Sequence, residues 1–107
     1  MSWYSVRCVF GVGPRSETGG ATYEERITLW RASSAEKAIA RAEAEALQYA
    51  TALKGCTYLG LAQSYQLADE VRDGAEVFSL MRDSELEPKE YLDVFLGVGT
   101  EHQTTTT

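Results

Sequence analysis

The hydrophobic residues of this chain change their spacing along the sequence, and this change most constrains the fold. Apolar side chains alternate with other residues over Ser2–Val12 and again over Thr22–Ala32, the period of about two residues that is typical of β-strands. Residues 13–20, between them, are rich in glycine and include Pro14, which predicts a hairpin loop. The loop lacks the spacing and the lysine of a phosphate-binding loop. We therefore expect the chain to begin with a β-hairpin.

A helical pattern follows the hairpin. Ser33 and Glu36 fit a capping box, so Ser33 is the expected N-cap. Lys54 and Gly55 suit the end of the helix. One stripe at helical spacing is mostly alanine and consists of Ala38, Ile39, Ala42, Ala46, Tyr49, Ala50 and Leu53. Because alanine is small, we expect this helix to pack closely against a sheet.

A second hairpin is expected after the helix. Thr57–Ala68 alternates again, Asp73 and Gly74 form a typical reversal, and Ala75–Met81 has the pattern of another strand. In the first of these strands, one phase is rich in leucine and contains Leu59, Leu61, Tyr65 and Leu67. We expect this leucine phase to face the helix.

The order of elements predicts the fold class. Glu87 and Pro88 indicate the start of a short helix that ends at Gly97. The order ββαββα predicts an α+β domain over residues 1–98, with a four-stranded antiparallel sheet, the long amphipathic helix on one face and a short C-terminal helix. Residues 99–107 are expected to form a polar, flexible tail.

Matching the apolar phases of the first hairpin predicts its register. The expected pairs on the helix side are Tyr4–Leu29, Val6–Ile27 and Phe10–Tyr23, and those on the other side are Trp3–Trp30, Ser5–Thr28 and Arg7–Arg26. A pair of like charges is unfavourable unless carboxylates or a ligand neutralise it. This register also turns Glu25 inward, opposite Cys8, which conflicts with burial of that face.

The outer face of the predicted sheet is a candidate interface. Its candidate residues are Trp3, Arg7, Arg26, Trp30 and Tyr58. Trp3, Trp30 and Tyr58, together with Val77 and Met81, would make this face more apolar than a solvated face requires, so we expect it to be covered. The cover is the short C-terminal helix, a second copy of the chain or a different partner. Tryptophan and arginine often dominate the energetics of interfaces.

The charge of the chain is concentrated in its last third. The net charge is -6, whereas residues 69–107 contain ten carboxylates against Arg72, Arg82 and Lys89, a net charge of -7. Such a surface repels a phosphate backbone, so direct binding of nucleic acid is disfavoured. Asp69, Glu70, Asp73 and Glu76 are candidate contacts for a basic partner. The alternative is that they only form a solvated, solubilising face.

Several kinds of chemistry are disfavoured. The only histidine, His102, lies in the polar tail, so the predicted folded part has no imidazole for acid–base catalysis or metal binding. Cys8 and Cys56 form no CxxC pair and are expected to be buried free thiols. The chain shows no catalytic constellation, so we expect a non-enzymatic protein without cofactor or metal. It also shows no leader and no membrane span, which predicts a cytoplasmic protein.

Four sequence runs resemble a family of small bacterial domains of unknown function. The runs are WYSVRCVF, YEERITLWRAS, YLGLAQSYQLAD and GAEVFSLMRDS, which together span nearly the whole predicted domain. The resemblance implies a small bacterial α+β domain. It implies no activity, cofactor or catalytic residue.

Two functions remain as hypotheses. The first is a protein-interaction module, including an acidic inhibitor or immunity-type protein for a basic partner, because its negative charge would speed association. The alternative is a homodimer, structural or holding a small ligand, that associates through the outer tryptophan-bearing face. Neither hypothesis involves nucleic acid or a membrane.

Overall fold

The computed structural model describes residues 1–96. Its elements in chain order are β1 (Ser2–Val12), β2 (Thr22–Ala32), α1 (Ala35–Ala52), β3 (Cys56–Gln66) and α2 (Pro88–Phe95). The predicted first hairpin and both helices are confirmed. The predicted helix end at Gly97, the domain boundary at residue 98 and the tail with His102 lie outside the described residues.

The three strands form one antiparallel sheet with the order β2-β1-β3. The α+β class is therefore confirmed, but the prediction of a four-stranded sheet is wrong. The chain does reverse at Gly74, where the amide of Ala75 donates to the carbonyl of Arg72. Residues 75–81 nevertheless form no strand, because Phe78 in their centre packs onto side chains of the sheet face. The segment thus lies on the face and does not extend the edge.

The register of the hairpin differs by one residue from the predicted one. Tyr4 pairs with Trp30, and Cys8 pairs with Arg26. A shift of one residue moves every side chain of a strand to the other face. In the observed register, Glu25 leaves the buried face and forms a salt bridge with Arg7. The predicted conflict at Glu25 therefore came from the wrong register.

The helix α1 covers one face of the sheet, which we call the helix face; the opposite side is the open face. Four alanines one turn apart, Ala38, Ala42, Ala46 and Ala50, are the buried residues of α1. They pack with Tyr4, Val6, Cys8 and Phe10 of β1 in the core. The N-cap is Ser34, and not the predicted Ser33, since its hydroxyl accepts from the amide of Lys37.

The orientation of β3 is opposite to the predicted one, and the strand contains an irregularity that leaves this orientation unchanged along its length. Phe10 pairs with Tyr58 and Cys8 pairs with Ala62. Between these two pairs, β3 advances by four residues while β1 advances by two, so β3 contains two extra residues. Gly60, within this bulge, has a φ of 84°, a conformation that side chains rarely adopt. Tyr58 and Ala62 pack against the core, whereas Leu59 and Leu61 are exposed. The expectation that the leucine phase faces the helix is therefore wrong.

The helix α2 stands apart from the sheet and from α1. Pro88 occupies its first turn, as predicted. Within residues 1–96, no Cα atom of α2 lies within 8 Å of a strand or of α1. None of its residues is buried. Over the described part of the chain, no helix is both long and apolar enough to cross a membrane.

Candidate protein interface

The two tryptophans lie on opposite sides of the sheet, so the predicted tryptophan-bearing face does not exist. The register places Trp30 on the helix face, beside Tyr4 of the core, and Trp3 on the open face. Trp30 donates through Nε1 to the hydroxyl of Thr28, and the Arg41 guanidinium lies 5.1 Å from the centre of its ring. Trp30 therefore contributes to the packing of α1 on the sheet.

Arg26 also lies on the helix face. Its guanidinium donates to both carboxylate oxygens of Glu45, at 2.5 and 3.0 Å, and these hydrogen bonds raise the pKa of Arg26. It also stacks on the ring of Tyr49, 3.9 Å from the centre. The hydroxyl of Tyr49 in turn donates to Glu24, and this hydrogen bond raises the pKa of Tyr49. Arg26 thus joins β2 to α1 within the chain.

Tyr58 is the third predicted interface residue that lies on the helix face. Its hydroxyl donates to Oε2 of Glu43 at 2.5 Å, and its ring packs against Phe10. Burial, and then the hydrogen bond to Glu43, raise the pKa of Tyr58. Burial also raises the pKa of Cys8. A buried thiol with a raised pKa is a poor nucleophile. Tyr58 and Cys8 therefore have the properties of core residues.

Arg7 occupies the open face, as predicted, and is the centre of what we call the Arg7 cluster: Arg7, Glu25, Gln63, Tyr65 and Phe78. It donates to Glu25 at 3.0 Å and to the amide oxygen of Gln63. The ring of Phe78 lies 4.9 Å from the guanidinium, and Tyr65 packs beside it. Only 14% of the Arg7 side chain remains exposed.

The segment after β3 is held on the open face by this cluster. The carboxylate of Glu76 lies beside the Tyr65 hydroxyl and raises the pKa of that tyrosine, and Phe78 covers Arg7. Beside them Ser5 is fully buried, and its hydroxyl has no hydrogen-bond partner among the described residues. Sequence reasoning missed the roles of Glu76 and Phe78, since a contact between an arginine and a distant aromatic residue leaves no spacing signal.

The acidic arm, which we define as residues 68–96, differs from the rest of the chain in its charge. It contains nine carboxylates against three basic residues, and all nine acidic residues are exposed. Among described residues, only Asp69 of these nine forms a salt bridge, to Arg72 at 3.4 Å. Of the four predicted contacts, Asp69 and Glu76 therefore have partners within the chain. Glu70 and Asp73 have no hydrogen-bond or salt-bridge partner in this part of the structure.

The acidic arm also exposes many apolar side chains. Half of the large exposed hydrophobic residues of the described chain lie in it: Val71, Val77, Leu80, Met81, Leu86, Leu92, Val94, Phe95 and Leu96. Met81 is 93% exposed. Arg82 joins α2 to the preceding segment by donating to the hydroxyl of Tyr91 and stacking on Phe95. The arm thus combines apolar and negatively charged surface.

Sites for small ligands are sparse in the described chain. Residues 1–96 contain no group of three or more His, Cys, Asp or Glu placed to hold a metal ion. A shallow hollow on the outer surface of α1 is lined by Leu47, Gln48, Thr51 and Ala52. All four belong to one helix, so no side chain from a second element converges on this hollow.

Comparison with known proteins gives one match. A family model described as a domain of unknown function (DUF4288) matches residues 3–79. The match therefore includes the three strands, α1 and the segment held by the Arg7 cluster, and it ends before α2. No curated protein and no solved structure matches the chain.

Proposed function

This chain belongs to the DUF4288 family of domains of unknown function, and we propose that it is a non-catalytic protein-binding module whose acidic arm binds a basic protein. One observation carries the proposal: the arm exposes nine carboxylates and half of the large exposed apolar residues along the same stretch of chain. A partner that suits this stretch has a positively charged surface with an apolar patch.

The charges of the sheet and of the arm are arranged differently, and this difference favours binding. In the sheet and α1, Glu25 and Glu45 are neutralised by Arg7 and Arg26. In the arm, the described residues include one salt bridge for nine carboxylates. Unneutralised charge of one sign raises the rate of association with an oppositely charged partner, and salt reduces this effect.

The apolar residues of the arm would contribute affinity, which exposed charges alone supply only weakly. Solvent-exposed charges contribute more to the association rate than to affinity, whereas burial of apolar surface contributes roughly 25 cal/mol per Å² before the costs of association. Leu92, Phe95 and Leu96 in and beside α2 are all exposed. The arm therefore offers both long-range attraction and a contact that persists at physiological salt.

The module class that fits these properties is an acidic inhibitor or immunity-type protein. Proteins of this class cover a basic partner and need no catalytic group of their own. The alternative of a homodimer that holds a ligand on a tryptophan face has lost its surface, because Trp3 and Trp30 lie on opposite sides of the sheet.

The test begins with capture of partners from the native cell lysate on the tagged protein, followed by kinetics with the purified partner. We expect a basic protein whose association rate falls with rising salt. Glu70→Gln/Asp73→Asn removes two charges that have no partner in the described chain. We expect this variant to associate about threefold more slowly at low salt, with a smaller change in its dissociation rate.

Glu17→Gln/Glu36→Gln is the matched control, since it removes the same charge from exposed residues outside the arm. It should leave the association rate near that of the wild type. A captured partner that is acidic, or equal association rates for the arm variant and wild type, would contradict the proposal.

A further inference from the structure

The outer edge of β2 carries no further strand in the described chain, and one of its carbonyls, that of Arg31, accepts a hydrogen bond from Arg41 of α1. β2 has 11 residues, and within residues 1–96 it pairs with β1 alone. Its pairing with β1 has no bulge, and the strand contains neither proline nor lysine. Bulges, proline and charged side chains, lysine above all, are the usual means by which an edge strand avoids pairing with another chain; β2 has only the last of these, in Glu24, Glu25, Arg26 and Arg31. The absence of bulges and proline leaves a long backbone edge that can accept a further strand.

The open-face side chains of this strand are apolar and exposed. Ile27 is 44% exposed and Leu29 is 39% exposed, and they lie beside the charged residues Glu25 and Arg31 on the same face. Arg31 forms no salt bridge with a described residue. An added strand would cover these two apolar residues and meet both charges.

We propose that β2 pairs with β2 of a second copy, antiparallel about a two-fold axis through Thr28, to form a homodimer with a continuous six-stranded sheet. In this register, Glu25 lies opposite the partner's Arg31, and Ile27 lies opposite the partner's Leu29. The symmetry repeats both pairs on the other side of the axis. Opposite charges and apolar residues at directly opposed positions stabilise antiparallel pairs.

Neighbouring registers lack this complementarity. With the axis through Leu29, Arg31 lies opposite the partner's Ile27 and Glu25 lies beyond the end of the partner's β2. With the axis through Ile27, Glu24 lies opposite the partner's Trp30 and Glu25 opposite the partner's Leu29. With the axis through Arg26, two arginines oppose each other, which is unfavourable. The register through Thr28 is therefore selected by side chains, whereas the backbone edge alone would accept several.

The first test measures the mass of the chain by light scattering over a range of concentrations. We expect about two chains of 11.8 kDa at high concentration and dissociation on dilution. Arg31→Glu places Glu25 against a second carboxylate, and Glu25→Arg places two arginines together. Each variant alone should weaken the dimer about tenfold. An equimolar mixture of the two should regain the dimer mass, because both cross-strand pairs then have opposite charges.

The loop variants Arg15→Glu and Glu17→Arg make the same charge changes outside β2 and should keep the wild-type dimer. A single-chain mass for the wild type at every concentration would overturn the proposal. So would variants that dimerise as well as the wild type, or a mixture of the two variants that stays monomeric while both are folded by circular dichroism.

A second variant keeps the test decisive if Glu25→Arg does not fold, since Glu25 also pairs with Arg7. Thr28→Cys places two thiols directly opposite each other at the axis, a separation that a disulfide can bridge. Oxidation of Thr28→Cys should give a covalent dimer on a non-reducing gel. Thr22→Cys, on the same strand but distant from the axis, should form no disulfide between the two copies and should run as a single chain on that gel. Absence of the Thr28→Cys dimer, or equal cross-linking of both variants, would overturn the register.

Discussion

Tyr58 is the residue at which polar and apolar packing meet inside the domain. Its ring belongs to the aromatic contacts around Phe10, and its hydroxyl joins β3 to α1 through Glu43. A carboxylate that is half-buried depends on such a donor, because an unpaired buried charge is costly. Burial is the main cause of the raised pKa of Tyr58 and also of the raised pKa of Cys8.

We expect the protein to lose stability in alkaline solution. An unfolded tyrosine ionises at about pH 10 and an unfolded cysteine at about pH 8.5. The folded state keeps the protons of Tyr58 and Cys8 beyond these values, since both pKa values are raised. The unfolded state then binds fewer protons, so the free energy of unfolding falls as pH rises above about 9. Urea unfolding at a series of pH values measures this fall.

Tyr58→Phe separates the contribution of Tyr58 to this alkaline loss of stability from that of Cys8. At neutral pH it should lower the free energy of unfolding by about 1–2 kcal/mol, because Glu43 loses its donor. Above about pH 10 its stability should fall less steeply than that of the wild type, since one titrating group is gone. Tyr23→Phe, at an exposed position on β2, should follow the wild type throughout. An equal slope for wild type and Tyr58→Phe would contradict the assignment.

The elements show why a sequence predicts some features and not others. The strand alternation in β1 and β2 and the alanine stripe of α1 predict both element type and approximate bounds, because each element must bury one face. The register was missed since Thr28 and Arg26, although polar, lie on the helix face. There Arg26 pairs with Glu45, and only the folded structure brings this partner into reach.

The orientation of β3 was missed for a different reason. Leu59 and Leu61 are more apolar than their neighbours, which favoured their phase as the buried one, yet both are exposed while Tyr58 and Ala62 pack against the core. The bulge around Gly60 adds two residues, so it keeps the alternation and left no signal in the sequence pattern. Of the candidate interface residues, only Trp3, Arg7 and those of the acidic arm lie on surfaces other than the helix face. The concentration of negative charge in this region was predicted because charge composition needs no register, whereas the prediction of a strand over residues 75–81 was wrong.

Gly60→Ala tests the bulge. Its φ of 84° is strained for any residue with a side chain, so the substitution should lower the free energy of unfolding by about 1–2 kcal/mol. Gly11→Ala is the control, since Gly11 has an ordinary φ and an added Cβ would lie at normal contact distance from Leu59. It should change stability by less than about 0.5 kcal/mol. Equal effects in urea unfolding would contradict a special role for the backbone at Gly60.

At the scale of the whole molecule, the chain has a packed body and an attached arm. The body consists of the sheet and α1, with a core of small and aromatic residues. The arm meets the body at the Arg7 cluster, through Glu76 and Phe78, while α2 contacts neither the sheet nor α1 within the described chain. We therefore expect the stability of the body to depend on the arm only through the segment that contains Glu76 and Phe78.

Removal of the chain after Asp83 should leave the body intact. The contacts of α2 with the preceding segment are those of Arg82 with Tyr91 and Phe95, so the free energy of unfolding should change by less than about 0.5 kcal/mol. Phe78→Ala in the full chain should lower it by about 1–2 kcal/mol, because it uncovers Arg7 and Tyr65. Urea unfolding of both forms measures the difference. A large loss on truncation, or none on Phe78→Ala, would contradict this division.

The position of Phe78 also bears on how this chain diverges from its relatives. The family match ends at Ser79, one residue after the last side chain that is seated on the body. Because α2 lies near neither the sheet nor α1 in the described chain, we expect substitutions and insertions in α2 to leave the body folded. The sequence of this last segment can then change between relatives at little cost to the fold.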